Sequence, residues 1–407
     1  MKTLTLIACC SFVALFAGMS FPQDNDLAGW AKKAVSPDPS VAREAQDHLR
    51  AVGPQGLEAL EKRFAKEISA YKADAVSQEW ARIGVALDRV GGQYDNYASG
   101  LYWYTDLEQA KAAARASGRP ILSLRLLGRL DEDLSCANSR FFRTTLYPSA
   151  EVKQLLKDRF ILHWESVRPA PRVTIDFGDG RKLVRTITGN SIHYILDADG
   201  NIVDALPGLY SASVFVAELG RSADAVREAH ETGSHDYRQH LQGTQSRLLR
   251  AWATDLAAIH VSAPVKHSLT ENDLEPLMDD QKWHQLAQLP GNQAFFDAAV
   301  VEVMARKFPS APVAARVAIA KSVAETPVMR ELRNLSGSVA LDTVRNNYML
   351  RSKILAFLQD QTGHPWTLAE TNNWVYETVF LTPGRDPWLG LAPPDVFSAI
   401  DKNGESQ

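Results

Sequence analysis

The stretch from Gly118 to Gly220 constrains the fold most, because short apolar runs alternate there with helical patterns and turn residues. Gly178-Asp179-Gly180 separates two runs with strand-like alternation and predicts a β-hairpin. Strands are predicted at 121–127, 160–164, 172–177, 182–187, 191–196 and 201–206, and helices at 105–117, 136–146, from 149 and at 211–220. Thr105 to Glu108 fits a capping box at the start of the first of these helices. This order predicts an α/β domain whose mixed sheet is flanked by helices.

Helical patterns occupy both sides of this domain. Apolar residues at 41, 45, 49 and 52 recur at helical spacing before Gly53-Pro54, and a second helix follows, which predicts an N-terminal helical hairpin. The phrase from Asp38 to Ala45 is similar to one HEAT-type repeat. From about residue 222 the pattern stays helical and predicts an all-α C-terminal region. Its tail from Asn373 to Pro383 leads into an ordered docking segment around Trp388. The predicted divisions are a helical segment at 21–92, the α/β domain at 93–225 and a helical domain at 226–407.

Residues 1–20 are typical of a signal peptide, with Lys2 ahead of an apolar run and small residues near Ser20. We therefore expect export to the periplasm or the extracellular space after cleavage near Ser20. No second stretch is long enough for a transmembrane helix in the mature chain. The net charge of −4 argues against nucleic acid as a partner. Cleavage would remove two of the three cysteines and leave Cys136 alone, without an intramolecular disulfide.

Cys136 is the candidate nucleophile. A helix is predicted to begin there, and the free N–H groups of a helix N-terminus stabilise a thiolate. Arg140 would add positive charge beside the sulfur, as would Arg143, and the Ser139 hydroxyl could donate a hydrogen bond to it. The acidic loop at 131–133 would raise the thiol pKa if its carboxylates faced the sulfur.

Three features resemble the thioredoxin-like superfamily, in particular its secreted members: the element order over residues 102–221, the sequence Cys136-Ala137-Asn138-Ser139 after a strand and loop, and Tyr147-Pro148-Ser149 downstream. The resemblance implies that Cys136 occupies the first cysteine position of the family's Cys-x-x-Cys motif. Ser139 then stands in place of the resolving cysteine. Ser191 falls near the family's cis-proline, which faces the thiol, so Ser191 and Arg140 are the candidate binding residues.

Two functions follow as alternatives. In the first, the protein is a monothiol type of thiol–disulfide oxidoreductase. Cys136 would attack a protein disulfide, and a client thiol or a glutathione-type thiol would release the mixed disulfide, because Cys-x-x-Ser has no internal thiol. In the second, the domain is a redox-inactive scaffold that binds a protein partner through its helical regions. That alternative predicts a buried, inert Cys136, so whether the protein is an enzyme stays open.

Other residue patterns predict no cofactor and no metal site. His230, His235 and His240 match no zinc-ligand spacing and are predicted to be solvated. His163 and His193 fall on strands beside 121–127 and could share a face, but hydrogen-bonded strand positions are the favoured interpretation. Nucleotide-binding and hydrolase motifs are absent from the sequence.

Overall fold

The structure is a computed structural model, and it describes residues 26–186, 189–262, 278–307, 327–360 and 366–384. The predicted signal peptide and the predicted docking segment around Trp388 lie outside these ranges. The described chain is a mixed α/β protein, as the sequence predicted.

A four-stranded mixed sheet forms the centre of the molecule. The strand order is β2-β1-β5-β6, in which β1 and β2 are parallel and β5 is antiparallel to both β1 and β6. Tyr104 adds an isolated parallel bridge to His163 on β2. A separate two-stranded antiparallel hairpin is formed by β3 and β4. The strands are β1 Ile121–Leu127, β2 Ile161–Arg168, β3 Arg172–Asp176, β4 Lys182–Thr186, β5 Ser191–Leu196 and β6 Ile202–Pro207.

Burial explains why these runs form strands. All seven residues of β1 and all six of β5 are buried, because helices or loops cover both faces of the central sheet. By contrast, β3 is exposed along its whole length. Strand-like sequence patterns therefore occur both in the buried strands β1 and β5 and in the exposed strand β3.

Helices make up most of the rest of the described chain. They are α1 Leu27–Lys33, α2 Pro39–Val52, α3 Pro54–Arg63, α4 Ala65–Ala70, α5 Gln78–Gly91, α6 Asn96–Ser99, α7 Leu107–Ser117, α8 Ala137–Phe141, α9 Ala150–Arg159, α10 Ala212–Thr232, α11 Arg238–Ala258, α12 Asp280–Gln288, α13 Ala298–Lys307, α14 Pro327–Arg345, α15 Ser352–Gln359 and α16 Leu368–Trp374. Short π-helical segments follow α8, α14 and α16 at Phe142–Leu146, Asn346–Arg351 and Val375–Val379. None of the helices in the described ranges is long and apolar enough to cross a lipid bilayer.

Two helix boundaries differ from the prediction. The sequence suggested a capping box from Thr105 to Glu108, but the N-cap of α7 is Asp106, whose Oδ1 accepts a 2.9 Å hydrogen bond from the Gln109 amide. The helix predicted to close at Gly220 continues to Thr232 and ends at Gly233 in the left-handed conformation. Apolar burial along α10 outweighs the helix-breaking tendency of Gly220.

The described residues form two hydrophobic cores. Helices α1, α2, α3 and α5 enclose the smaller one, so the N-terminal segment is larger than the predicted hairpin. The larger core contains both the central sheet and the C-terminal helices: Ile195 and Leu206 of the sheet belong to the same cluster as Tyr348, Leu355 and Tyr376. The C-terminal helical region thus packs directly against the sheet from which the loop to Cys136 leaves.

Candidate functional site

Cys136 lies at the first turn of α8, directly after the loop that leaves β1. Its amide donates a 3.3 Å hydrogen bond to the Leu127 carbonyl oxygen, and Cys136 is the N-cap residue of the helix. The Ser139 amide donates to Cys136 Sγ at 3.4 Å. The strand, loop, cysteine and helix therefore follow one another as the sequence predicted, because the sulfur takes the capping role at an unsatisfied helix N-terminus.

The thiol has no solvent access. Cys136 is 0% exposed, and burial raises its pKa. The amides of Ser139 and Asn138 and the charge of Arg140 act in the opposite direction, but desolvation is the larger effect. A thiol with a raised pKa is protonated at neutral pH, so the site holds a poor nucleophile.

Two of the three carboxylates in the acidic loop pair with arginines. Asp131 Oδ2 lies 2.7 Å from Arg129 Nη2, and Glu132 Oε2 lies 3.4 Å from Arg172 Nη2. The Arg143 guanidinium lies 3.9 Å from Asp95, and its Nη2 donates to Ser135 Oγ at 3.3 Å. Arg140 is the charged side chain that acts on the thiol pKa, which it lowers.

Ser139 and Ser191 are both buried near the start of α8, but neither hydroxyl is bonded to the sulfur. Ser139 Oγ accepts a 2.8 Å hydrogen bond from Ser135 Oγ, whereas its contact with Cys136 comes from the backbone amide. Ser191 Oγ accepts a 2.9 Å hydrogen bond from Asn138 Nδ2. Ser139 Oγ therefore does not make the predicted hydrogen bond with the sulfur. The bond between Asn138 and Ser191 instead holds α8 against the start of β5.

Arg140 connects the loop to the hairpin. Its Nη1 donates to the Ser135 carbonyl oxygen at 2.7 Å and to Thr186 Oγ1. Thr186 Oγ1 also donates to the Ser135 carbonyl oxygen at 2.8 Å. The guanidinium is committed to these protein oxygens, and the base of the hairpin is fixed to the residue that precedes Cys136.

A C-terminal segment, residues 366–384, covers the end of the sheet beside the thiol. Arg168 at the end of β2 donates to the carbonyl oxygens of Thr382 and Pro383, both at 2.9 Å. Tyr376 Oη donates to the Asn190 carbonyl oxygen at 3.3 Å. Tyr376 is close enough to Cys136 that a thiolate there would raise the pKa of the phenol. The segment therefore packs at the same end of the sheet at which the candidate site lies.

These covering residues were missed by the sequence analysis. The pattern around residues 373–383 indicated an ordered segment but gave no sign of what it would contact. Arg168 and Pro383 are separated by 215 positions in the chain, and contacts at that separation leave no periodic signal. Only the prolines and aromatic residues of the segment pointed to order.

The two strand histidines do not share a face. His163 lies opposite Ser123 and His193 opposite Leu124, so consecutive residues of β1 direct them to opposite sides of the sheet. His163 Nδ1 is 2.9 Å from Ser123 Oγ, and His193 Nε2 is 2.8 Å from Tyr147 Oη. Burial lowers the pKa of each imidazole to about 3, so both are neutral.

The described residues hold no group of three or more His, Cys, Asp or Glu side chains that could bind a metal ion. His235 is exposed and lies 3.3 Å from Asp197 Oδ2. His240, predicted to be solvated, is instead mostly buried and lies 3.3 Å from Asp204 Oδ2. Of these two histidines, His240 therefore belongs to the packed interior.

A charged cleft of about 590 Å³ lies between the N-terminal helices and the sheet, away from the candidate residues. Burial raises the pKa of Asp88, which lines it, to about 7. The Asn96 amide donates to Asp88 Oδ1 at 2.8 Å and partly offsets that shift. The sequence gave no signal for Asp88, because its helical spacing alone predicts a polar position beside an apolar face.

The chain was compared with protein-family models, with curated proteins and with solved structures, and none of the three comparisons found a match.

Proposed function

We propose that this protein is an exported, redox-inactive scaffold of thioredoxin-like fold that binds a protein partner. The bridge at Tyr104 and the strand order β2-β1-β5-β6, with a cysteine at the helix that follows β1, support the thioredoxin-like assignment. The pattern of residues 1–20 supports export.

The burial of Cys136 carries the proposal. Disulfide exchange requires a thiolate that can reach a sulfur of the partner, and here the sulfur is 0% exposed with a raised pKa. Arg140 and the two backbone amides lower the pKa by less than burial raises it. Cys136 behaves as a small core residue that caps a helix, and its neighbours Leu127 and Phe142 belong to the same apolar cluster.

The covering segment supports the same conclusion. Its attachment to Arg168 and Asn190 would have to break before a disulfide could reach the thiol. Several buried side chains, including Val375 and Tyr376, would be exposed at the same time. A binding role needs no such opening, because partner surfaces can lie elsewhere on the molecule.

Thiol labelling of the folded protein tests the proposal. In the mature chain without residues 1–20, the reference is the double variant Cys136→Ala with Ala116→Cys, which places the single thiol at an exposed position of α7. We expect Ellman's reagent to label native Cys136 at least about 10³-fold more slowly than the reference, which corresponds to a local opening free energy of about 4 kcal/mol. Labelling after denaturation should be complete in both proteins.

Oxidised glutathione distinguishes the two alternatives. A scaffold should form no mixed disulfide in the folded state, and Cys136→Ala should keep its fold. Rapid formation of a glutathione adduct by folded protein, lost in Cys136→Ser, would establish the monothiol oxidoreductase instead.

A further inference from the structure

Among the strands that the structure describes, those of the β3–β4 hairpin present an exposed apolar face. Val173, Ile175 and Phe177 are 38%, 49% and 54% exposed. Alternation along a strand places these three side chains on one face. Leu183 lies directly opposite Ile175 and Arg185 opposite Val173, so both belong to the same face. This surface, residues 173, 175, 177, 183 and 185, is called the hairpin face below.

One backbone edge of the hairpin is also free. The Phe177 amide donates to the Arg181 carbonyl oxygen at 3.1 Å, which makes this a hydrogen-bonded pair. In an antiparallel ladder such pairs alternate, so the backbone groups of Thr174 and Asp176 are directed away from β4. No other strand of the described chain pairs with this outer edge of β3. An unpaired edge beside an apolar face is a template for an added strand.

The base of the hairpin is held in place. Thr186 at the end of β4 is buried and bonded to the Ser135 carbonyl oxygen, and Arg140 donates to both. Arg172 at the start of β3 lies 3.4 Å from Glu132. The base of the hairpin is thus bonded to the body of the protein. Because the hairpin is already held in place, binding costs less conformational entropy.

The charged residues of the hairpin indicate which kind of partner it binds. Residues 172–186 carry four basic and two acidic side chains, in a chain whose net charge is −4. Arg181 pairs with Asp179 and Lys182 with Asp176. Arg185 on the hairpin face donates to the Val184 carbonyl oxygen and has no carboxylate partner in the described part of the chain. The excess positive charge disfavours pairing with the hairpin of a second copy and favours an acidic ligand.

We propose that the outer edge of β3 binds an extended segment of a partner protein in which apolar and acidic residues alternate. The segment adds a strand through its main chain, covers the hairpin face with its apolar side chains and neutralises Arg185 with a carboxylate. This inference rests on the proposed scaffold function, since it identifies the partner surface. The sequence predicted partner binding through the helical regions, whereas this inference assigns the binding surface to the hairpin.

Fluorescence anisotropy with a labelled octapeptide of alternating valine and glutamate tests the proposal on the full mature chain. We expect this peptide to bind more tightly than its valine–lysine counterpart, and more weakly as salt is raised. Ile175→Asn should weaken binding at least about tenfold. Thr174→Asn is the matched control, because the same side chain is placed on the opposite face of β3, and it should change affinity by less than about twofold. Arg185→Gln should weaken binding of the acidic peptide and reduce its dependence on salt.

Several results would overturn the proposal. Equal affinities of the Ile175 and Thr174 variants, or of the acidic and basic peptides, would exclude the hairpin face. A dimer that dissociates on Ile175→Asn would make the face an interface between copies. Peptide binding that requires deletion of residues 385–407 would make the chain's own C-terminus the occupant. Cys136 labelling in the same samples reports on the scaffold function independently, so the two failures are distinguishable.

Discussion

Arg351 Nη2 lies 2.7 Å from Asp204 Oδ2, and the two side chains are 0% and 1% exposed. Arg351 Nη1 also lies 2.9 Å from Glu218 Oε2. Asp204 belongs to β6, Glu218 to α10 and Arg351 to the π-helical segment after α14. One guanidinium therefore joins the central sheet to the C-terminal helices. Burial alone would raise the pKa of Asp204 and Glu218, but Arg351, together with His240 at Asp204 and with Arg247 and Arg221 at Glu218, lowers both, and that of Glu218 falls to about 2.

Replacement of Arg351 by methionine should destabilise the protein strongly. Asp204 would then be buried without its arginine, and removal of one partner of a buried pair costs about 3–5 kcal/mol. Glu218 would keep its contacts with Arg247 and Arg221. Arg345→Met is the matched control, because Arg345 lies near the end of the same helix and pairs with the exposed Asp280. It should cost less than about 1 kcal/mol. Urea unfolding measures both, and similar losses in the two variants would contradict the role given to Arg351.

A side chain at Gly128 should destabilise the protein more than one at Gly118. Its φ is +75°, and an added Cβ would lie 3.2 Å from both Ser135 Cα and Ala170 Cβ. Gly118 has a similar φ of +68° but open space around it. We expect Gly118→Ala to cost about 1 kcal/mol from left-handed strain alone. Gly128→Ala should cost about 3 kcal/mol, because the backbone of the loop before Cys136 must also move. Equal thermal shifts would show that the loop adapts freely.

The stability of the protein should depend on pH through Asp88. Its pKa is raised from 3.8 to about 7 in the folded state, so between these values the folded protein binds more protons than the unfolded chain. The free energy of unfolding contributed by this group is therefore largest below about pH 4, falls as pH rises toward about 7, and levels off above that.

Asp88→Asn isolates this effect. The amide resembles the protonated acid and can still accept from the Asn96 amide, so the variant should gain stability relative to the native protein as pH rises from 5 to 7. Chemical denaturation at a series of pH values gives the difference. A difference that does not change with pH would mean that solvent screens the Asp88 carboxylate in the folded protein.

Local patterns predicted much of the sheet and little of its surroundings. The run at 121–127 coincides with β1, and Gly178-Asp179-Gly180 turns the β3–β4 hairpin as expected. The N-cap was predicted at Thr105 but lies one residue later, at Asp106, because either side chain can cap a helix. Such features depend on neighbours in sequence, which is why they can be predicted from it.

The sequence by itself determined that a strand leads through a loop to Cys136 at the start of a helix, with Ser139 one turn later. Whether that thiol meets solvent was decided only by tertiary structure. Tyr376 lies close to Cys136, and Arg168 binds the segment that carries it through Pro383, 215 positions away in the chain. The burial that raises the thiol pKa therefore depends on how distant parts of the chain pack together. Burial is a property of the folded whole, because it depends on which surfaces meet and not on the order of residues around the sulfur.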